Sequence, residues 1–211
     1  LYKMLYFLCL KRLYLFFEDY VNSIKTKTDI EVVTETEFSM SQKMTEIINK
    51  DPDYIFVLLT VRDMSIYRME WFNKNRIFIL NTEQLTRNSE LKKIERYVEM
   101  GYKTIDYSSE NIECCNGSLY LPYQVNPDEI LNYNKEFDVC YIGHPWGNRR
   151  VDKLQELKKS VGINIIGEQT DTKLLKYWGN KWGKERDEIA FKYKILVNIH
   201  HDNDFFINEQ M

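Results

Sequence analysis

A chain of 211 residues with 44% hydrophobic and 14% aromatic content has enough apolar material for one large domain or two small ones, which argues against disorder. Its formal charge of -3 arises from 29 basic and 32 acidic side chains spread along the sequence, so no Lys/Arg block exists to neutralise nucleic-acid phosphates. The four cysteines, Cys9, Cys114, Cys115 and Cys140, form no C-x-x-C pair and read as small buried hydrophobes in a reducing, cytoplasmic compartment, with no metal site.

The opening twenty residues are apolar, but Lys3, Lys11, Arg12, Glu18 and Asp19 interrupt them well short of a membrane span. A start at Leu1 and a finish at Gln210-Met211 without a turn signal suggest a piece cut from something longer. Leu1 to Cys9 reads as a strand, and Leu13, Phe16, Phe17, Tyr20, Val21 and Ile24 recur at helical spacing behind it. Ile30 to Val33 is a β-branched run. Ser39 is placed to cap a helix carrying Met40, Met44, Ile47 and Ile48, which Asp51-Pro52-Asp53 ends.

Residues Tyr54 to Leu59 and Ile77 to Leu80 are continuous apolar runs, the pattern of parallel strands covered on both faces. Leu91, Ile94, Tyr97 and Val98 form a helical stripe ended by Gly101, and Lys103 to Asp106 is a further short run. Pro122 keeps Ser118 to Tyr123 out of a sheet centre, and a connection follows. The expected organisation is an N-terminal Rossmann-like domain over 1–125, a linker over 126–137 and a second Rossmann-like domain over 138–211.

In the second half the alternation restarts, with Asp138 to Ile142 as strand, Arg150 to Lys159 as helix and Ile163 to Ile166 as strand. Glu185 to Tyr193 is the next expected helix, Lys194 to Ile199 the next strand, and Phe205 to Met211 the start of another helix. All eight glycines lie at or after Gly101, and Gly143, Gly147, Gly167, Gly179 and Gly183 follow strands or sit in loops of this half. Backbone there must approach something closely or take positive φ, and open α/β sheets bind ligands at this carboxyl edge.

Three loops carry the chemistry of that edge. Gly143 to Arg150 runs from a strand into a helix N-terminus, where backbone N–H groups, Arg149 and Arg150 could hold a diphosphate. It has neither G-x-G-x-x-G spacing nor a Walker Gly-Lys-Ser/Thr, and the plain alternative is a glycine turn with solvated arginines. Gly167-Glu168 ends the next strand, Gly183 to Asp187 opens a helix that includes Arg186, and the last strand delivers His200 and His201. Adjacent histidines on a strand point to opposite sides, so His200 reads as a polar-pocket residue rather than one of a metal pair.

In the first half the strand Ile77 to Leu80 ends in the polar cluster Asn81, Thr82, Glu83 and Gln84. It could simply cap the next helix. If it faces a cleft, Asn81, Glu83 and Gln84 project into it, and Glu83 is the candidate base for proton removal, since none of the three histidines lies in this half.

The segment from Tyr120 to Met211 resembles the donor-binding half of GT-B fold glycosyltransferases, in the form found in large DNA viruses and some bacteria. The residues that carry the resemblance are Tyr120 to Gln124, Asp138 to Gly143 with Arg149-Arg150, Arg186-Asp187 leading into Ile195 to His200, and Asn208-Glu209-Gln210. Ile79 to Leu85 is similar to a motif of the acceptor-side domain.

The resemblance implies two Rossmann-like domains with parallel sheets facing a cleft, the second incomplete because family members continue beyond the final Glu-Gln pair. It implies a nucleotide-diphosphate sugar on the second domain, a carbohydrate or other hydroxyl acceptor in the cleft, and no metal or other cofactor. Gly143 with Arg149 or Arg150 would neighbour the diphosphate, and Glu209 would match the carboxylate used on the donor's ribose or sugar. Glycosyl transfer ranks first on these grounds, with Glu83 as the base at Asn81 and Gln84 of the acceptor cleft or by a retaining, substrate-assisted route. A non-catalytic nucleotide-sugar-binding module, or an inactive remnant, ranks second. A receiver-type signalling domain ranks last, since Cys9 to Arg12 offers no paired acids after the first strand.

Overall fold

The computed structural model describes residues 4–25, 27–60, 64–83, 85, 88–115, 117–122, 134–143, 148–167, 176–179, 181, 183–197 and 199. The chain divides into two compact units, Leu1–Val125 and Asn126–Met211. Each is an α/β unit built on a parallel sheet, as in Rossmann-like folds.

In the first unit the chain order is β1 (Leu5–Leu10), α1 (Tyr14–Lys25), β2 (Ile30–Glu35), α2 (Met40–Lys50) and β3 (Ile55–Leu59). Short 3-10 turns at Met64–Tyr67, Met69–Trp71 and Lys74–Arg76 lead to β4 (Ile77–Leu80). Then come α3 (Asn88–Glu99), β5 (Lys103–Asp106), α4 (Ser109–Cys114) and β6 (Ser118–Tyr120). The six strands lie in the order β2-β1-β3-β4-β5-β6 and all neighbouring pairs are parallel. The strand order reverses between β1 and β3, which is the switch point where such sheets open a crevice.

Apolar runs without alternation arise because both sheet faces are covered. Tyr6, Leu8, Leu10, Phe56, Leu58, Ile77 and Ile79 meet Met40, Met44 and Ile47 of α2 on one face. Phe7, Cys9, Leu59, Leu80 and Ile105 meet Tyr20 and Val21 of α1 on the other. Burying each of these large side chains is worth about 1.5–3 kcal/mol.

Two local expectations for this unit are corrected. Ser39 sits at the N-terminus of α2 in helical conformation and makes no side-chain cap bond. Its hydroxyl instead donates to Glu35 Oε2 at 2.8 Å and accepts from the Thr36 amide at 3.2 Å, fastening the turn out of β2. Cys114 is exposed at the end of α4, whereas Cys9, Cys115 and Cys140 are buried. The link from β3 to β4 uses 3-10 turns in which Met64, Tyr67 and Met69 are buried. Tyr67 is fully buried, and its hydroxyl donates to Leu59 O at 3.0 Å.

The second unit contains β7 (Phe137–Ile142), α5 (Asn148–Ser160), β8 (Ile163–Ile166), β9 (Lys176–Tyr177), α6 (Gly183–Ala190) and β10 (Tyr193–Val197). Its parallel sheet has the order β10-β7-β8-β9. The helix expected to reach Tyr193 ends at Ala190, and Tyr193 opens β10 instead. Tyr193 is buried because its hydroxyl accepts from Asn164 Nδ2 and Trp178 Nε1, each at 2.7 Å, which locks it to the sheet rather than to the helix. The helix expected over Phe205 to Met211 lies outside the described residues. Among the described residues no helix is long and apolar enough to cross a membrane.

Candidate functional site

On one face of the first sheet the strands turn polar at their carboxyl ends. Phe56 and Leu58 of β3 are followed by Thr60, Ile77 and Ile79 of β4 by Asn81, and Thr104 of β5 by Asp106. The ladder continues through this rim, since Thr60 N donates to Leu80 O at 2.9 Å and Asn81 N to Ile105 O at 2.8 Å. Parallel register therefore gathers polar side chains from three neighbouring strands at one edge.

Asp106 is the centre of that edge. It is 1% exposed, and its Oδ2 accepts from Asn81 Nδ2 at 2.7 Å and from Asn111 Nδ2 at 3.0 Å. Its Oδ1 accepts from the Ser108 amide at 2.9 Å. Burial pushes the carboxyl pKa up, and the bonds from Asn81, the Ser108 amide, Asn111 and the Tyr107 amide oppose that rise. Every partner donates, so the hydrogen bonds favour the carboxylate form while burial, the larger influence, works against it.

Both amides also grip the loop after β4. Asn81 Nδ2 donates to Glu83 O at 2.7 Å and Asn81 Oδ1 accepts from Glu83 N at 3.2 Å. Asn111 Nδ2 donates to the same Glu83 O at 3.0 Å, and Asn111 Oδ1 accepts from Leu85 N at 2.9 Å. Each side-chain amide thus uses both of its donors, one on Asp106 and one on Glu83 O, which fixes its orientation. Thr60 Oγ1 adds a bond from Thr82 N at 3.2 Å. The Glu83 side chain is exposed above this locked backbone.

Asn81 does not project from the rim as expected. It is 2% exposed and its amide donors are spent inward, so it holds the loop and is not presented to an acceptor. Gln84 lies outside the described residues.

The carboxyl edge of the second sheet is built differently. Gly143 N donates to Ile166 O at 2.9 Å and Gly167 N to Gly179 O at 2.9 Å. A Cβ on Gly167 would lie 2.0 Å from Gly143 O, so backbone packing against Gly143 by itself requires glycine at Gly167. Gly143 itself has φ +136°, a conformation that favours glycine.

Arg150, in the first turn of α5, donates from Nε to Ile199 O at 2.8 Å and so ties the helix start to the chain leaving β10. Burial raises the pKa of Tyr141 on β7, and the Arg150 charge works against that rise. Arg149 precedes it in the same helical turn, its side chain outside what the structure describes, and Gly183 opens α6. Arg186 pairs with its neighbour Asp187, with Nε at 2.8 Å and an amino nitrogen at 2.7 Å from the same carboxylate oxygen. Glu168, His200 and Glu209 lie outside the described residues.

The similar proteins come from one virus. The chain is 33% identical over 96% of its length to uncharacterized protein L138 of Acanthamoeba polyphaga mimivirus, and spans 23% of that protein. It is 29% identical over 99% of its length to uncharacterized protein L137, of which it spans 27%. With uncharacterized protein L140 the identity is 28% over 92% of this chain and 60% of the relative. The chain thus corresponds to about a quarter of the first two relatives and to more than half of the third. No family model matches the chain. No solved structure matches it either.

Asp106, Ser108 and Asn111 were missed in the sequence reading. The signal for Asp106 was present, because it follows buried Thr104 by two residues on one face of β5, as Asn81 follows Ile79 on β4. Asn111 carries no such signal, since it sits on α4, a helix of six residues.

Proposed function

We propose that this chain forms two Rossmann-like units of a GT-B-type glycosyltransferase that moves a sugar from a nucleotide-diphosphate donor to a hydroxyl acceptor without a metal. The supporting observation is an exposed carboxylate, Glu83, on a backbone locked at the carboxyl rim of a six-stranded parallel sheet. Rims of this kind are where α/β sheets place reacting groups. On the second sheet, the α5 N-terminus with Arg149 and Arg150 supplies charge for a leaving diphosphate.

In the proposed reaction Glu83 takes the acceptor proton as the new oxygen–carbon bond forms at the anomeric centre. The bond from that carbon to the diphosphate oxygen breaks, and its electron pair leaves with the diphosphate, which the guanidinium groups steady. The nucleotide sugar is a co-substrate, and no cofactor takes part.

Thermal-shift measurements with UDP- and GDP-sugars, with and without EDTA, test the donor side, with a CMP-sugar as the control lacking a diphosphate. The expected result is a shift with a diphosphate donor that EDTA leaves unchanged and that Arg149→Ala/Arg150→Ala abolishes. Release of nucleotide diphosphate on adding acceptors tests transfer. Absence of a shift with any donor overturns the reading, and a shift lost in EDTA overturns its metal-free form.

A second reading, a non-catalytic nucleotide-sugar-binding module, is favoured by the partners that the donor-side cations already have. Arg150 Nε is engaged with Ile199 O, and Arg186 with Asp187. Donor binding without nucleotide release under any acceptor would select it.

A further inference from the structure

We infer that Asp106 and Asn111 are positioning residues that hold Glu83 in place through the backbone of its loop. The role of Glu83 as the base rests on the glycosyl-transfer reading above. The clamp itself rests only on geometry.

Asp106 Oδ2 receives one donor from Asn81 and one from Asn111, and the second donor of each amide falls on Glu83 O. The two acceptor oxygens of these amides take the amides of Glu83 and Leu85. A single buried carboxylate therefore sets the orientation of two side-chain amides, and these two fix three backbone groups on either side of the Glu83 side chain.

The arrangement is more than the loop needs in order to be satisfied. Backbone groups at an exposed turn can bond to water at little cost. Here they bond to buried side chains of Asn81, just after β4, and Asn111 of α4, whose own orientation depends on a carboxylate at the end of β5. Asp106 carries a burial penalty that an apolar residue would avoid. Such a network lowers the conformational freedom of the residue it surrounds, which is how a reacting group is kept within reach of its target.

Two readouts test this in the full chain. The first is site-resolved hydrogen exchange. In the wild type, the side-chain amide protons of Asn81 and Asn111 should exchange at least about tenfold more slowly than those of exposed Asn75, because they are engaged inside the fold. Asn111→Ala should speed exchange at the Leu85 amide by about tenfold or more, because its acceptor is gone. Equal rates for Asn75, Asn81 and Asn111 in the wild type overturn the clamp even if the variants do not fold, as does an unchanged Leu85 amide in a folded Asn111→Ala.

The second readout is a double-mutant cycle on turnover. Asn111→Ala alone should lower kcat by about tenfold with the KM for donor unchanged, and should have no further effect in a Glu83→Gln background. A loss in Asn111→Ala that multiplies with that of Glu83→Gln assigns Asn111 to general stability and overturns its positioning role. If the wild type turns over no donor, the glycosyl-transfer reading falls, and the exchange rates decide the clamp by themselves.

Discussion

Gly167 and Gly143 meet backbone to backbone at the carboxyl edge of the second sheet, where a Cβ on Gly167 would stand 2.0 Å from the Gly143 carbonyl oxygen. No side-chain rotation relieves that overlap, because the opposing atom is main chain held by its place beside β8. Gly167→Ala should therefore cost about 3 kcal/mol or more by forcing the two loops apart. Gly162→Ala, where a Cβ meets nothing within 4 Å, should change stability by less than about 0.5 kcal/mol. Urea unfolding of the two variants checks the contrast, and equal midpoints would remove the argument from close approach.

The buried carboxylate of Asp106 gives a pH dependence of defined sign. Its folded pKa lies above the ordinary value of 3.8 because burial outweighs the bonds it accepts. Between the ordinary and the raised value the folded protein holds more protons than the unfolded chain, so this group's contribution to stability falls as pH rises through that window. Glu110 acts in the opposite sense. Its own backbone amide and then the Ser108 hydroxyl hold its pKa down, giving stability that is lost as pH falls through its folded value.

The measurement is therefore a difference between wild type and Asp106→Asn. Among the described residues the Asp106 charge acts on the buried Tyr20 and Cys115, both raised in pKa by burial first and so silent in acid. The stability of the wild type relative to Asp106→Asn should decline from the ordinary aspartate pKa upward and then level off. A difference that grows with pH would reverse the assignment.

Much of the fold was legible because burial on both faces leaves a simple mark. Tyr54 to Leu59 and Ile77 to Leu80 read as strands since neither contains a polar interruption, and both form β3 and β4 with one-residue accuracy. Elements too short to carry a period were missed, among them β9 with two residues and α4 with six. For the site, Asn81 to Glu83 stood out as polar residues after an apolar strand. Whether Asn81 faces in or out depended on Asp106, 25 residues away, and the engagement of Arg150 depended on Ile199, 49 residues away. Contacts of that separation leave no local pattern.

Tyr67 illustrates the same limit in the packing of the first sheet. Its hydroxyl donates to Leu59 O at 3.0 Å, with Leu8 O at 3.4 Å, joining a 3-10 turn to the strands on either side of the switch point. Burial raises its pKa, so the phenol stays protonated and remains a donor. Tyr67→Phe keeps the ring and removes the bond, and should cost about 1–2 kcal/mol with no change in the denaturant slope. An unchanged unfolding midpoint would mean that the strand carbonyls do not need this donor.

The cysteines separate by reactivity along the same lines. Cys9 and Cys140 are fully buried, and burial pushes each thiol up to about 12, so neither reaches the thiolate form near neutrality. Cys115 is 3% exposed and is also raised, by burial first. Cys114 alone is exposed, although it is the immediate neighbour of Cys115, because the short α4 turns one side chain inward and the next outward. A thiol reagent at about pH 8 should therefore label one cysteine rapidly, and Cys114→Ser should remove that phase. The remaining thiols should react only through opening of the structure, at rates that follow added urea. A second rapid thiol would place Cys115 at the surface and with it the end of α4, and loss of the anchor for Asn111 would follow from the same movement.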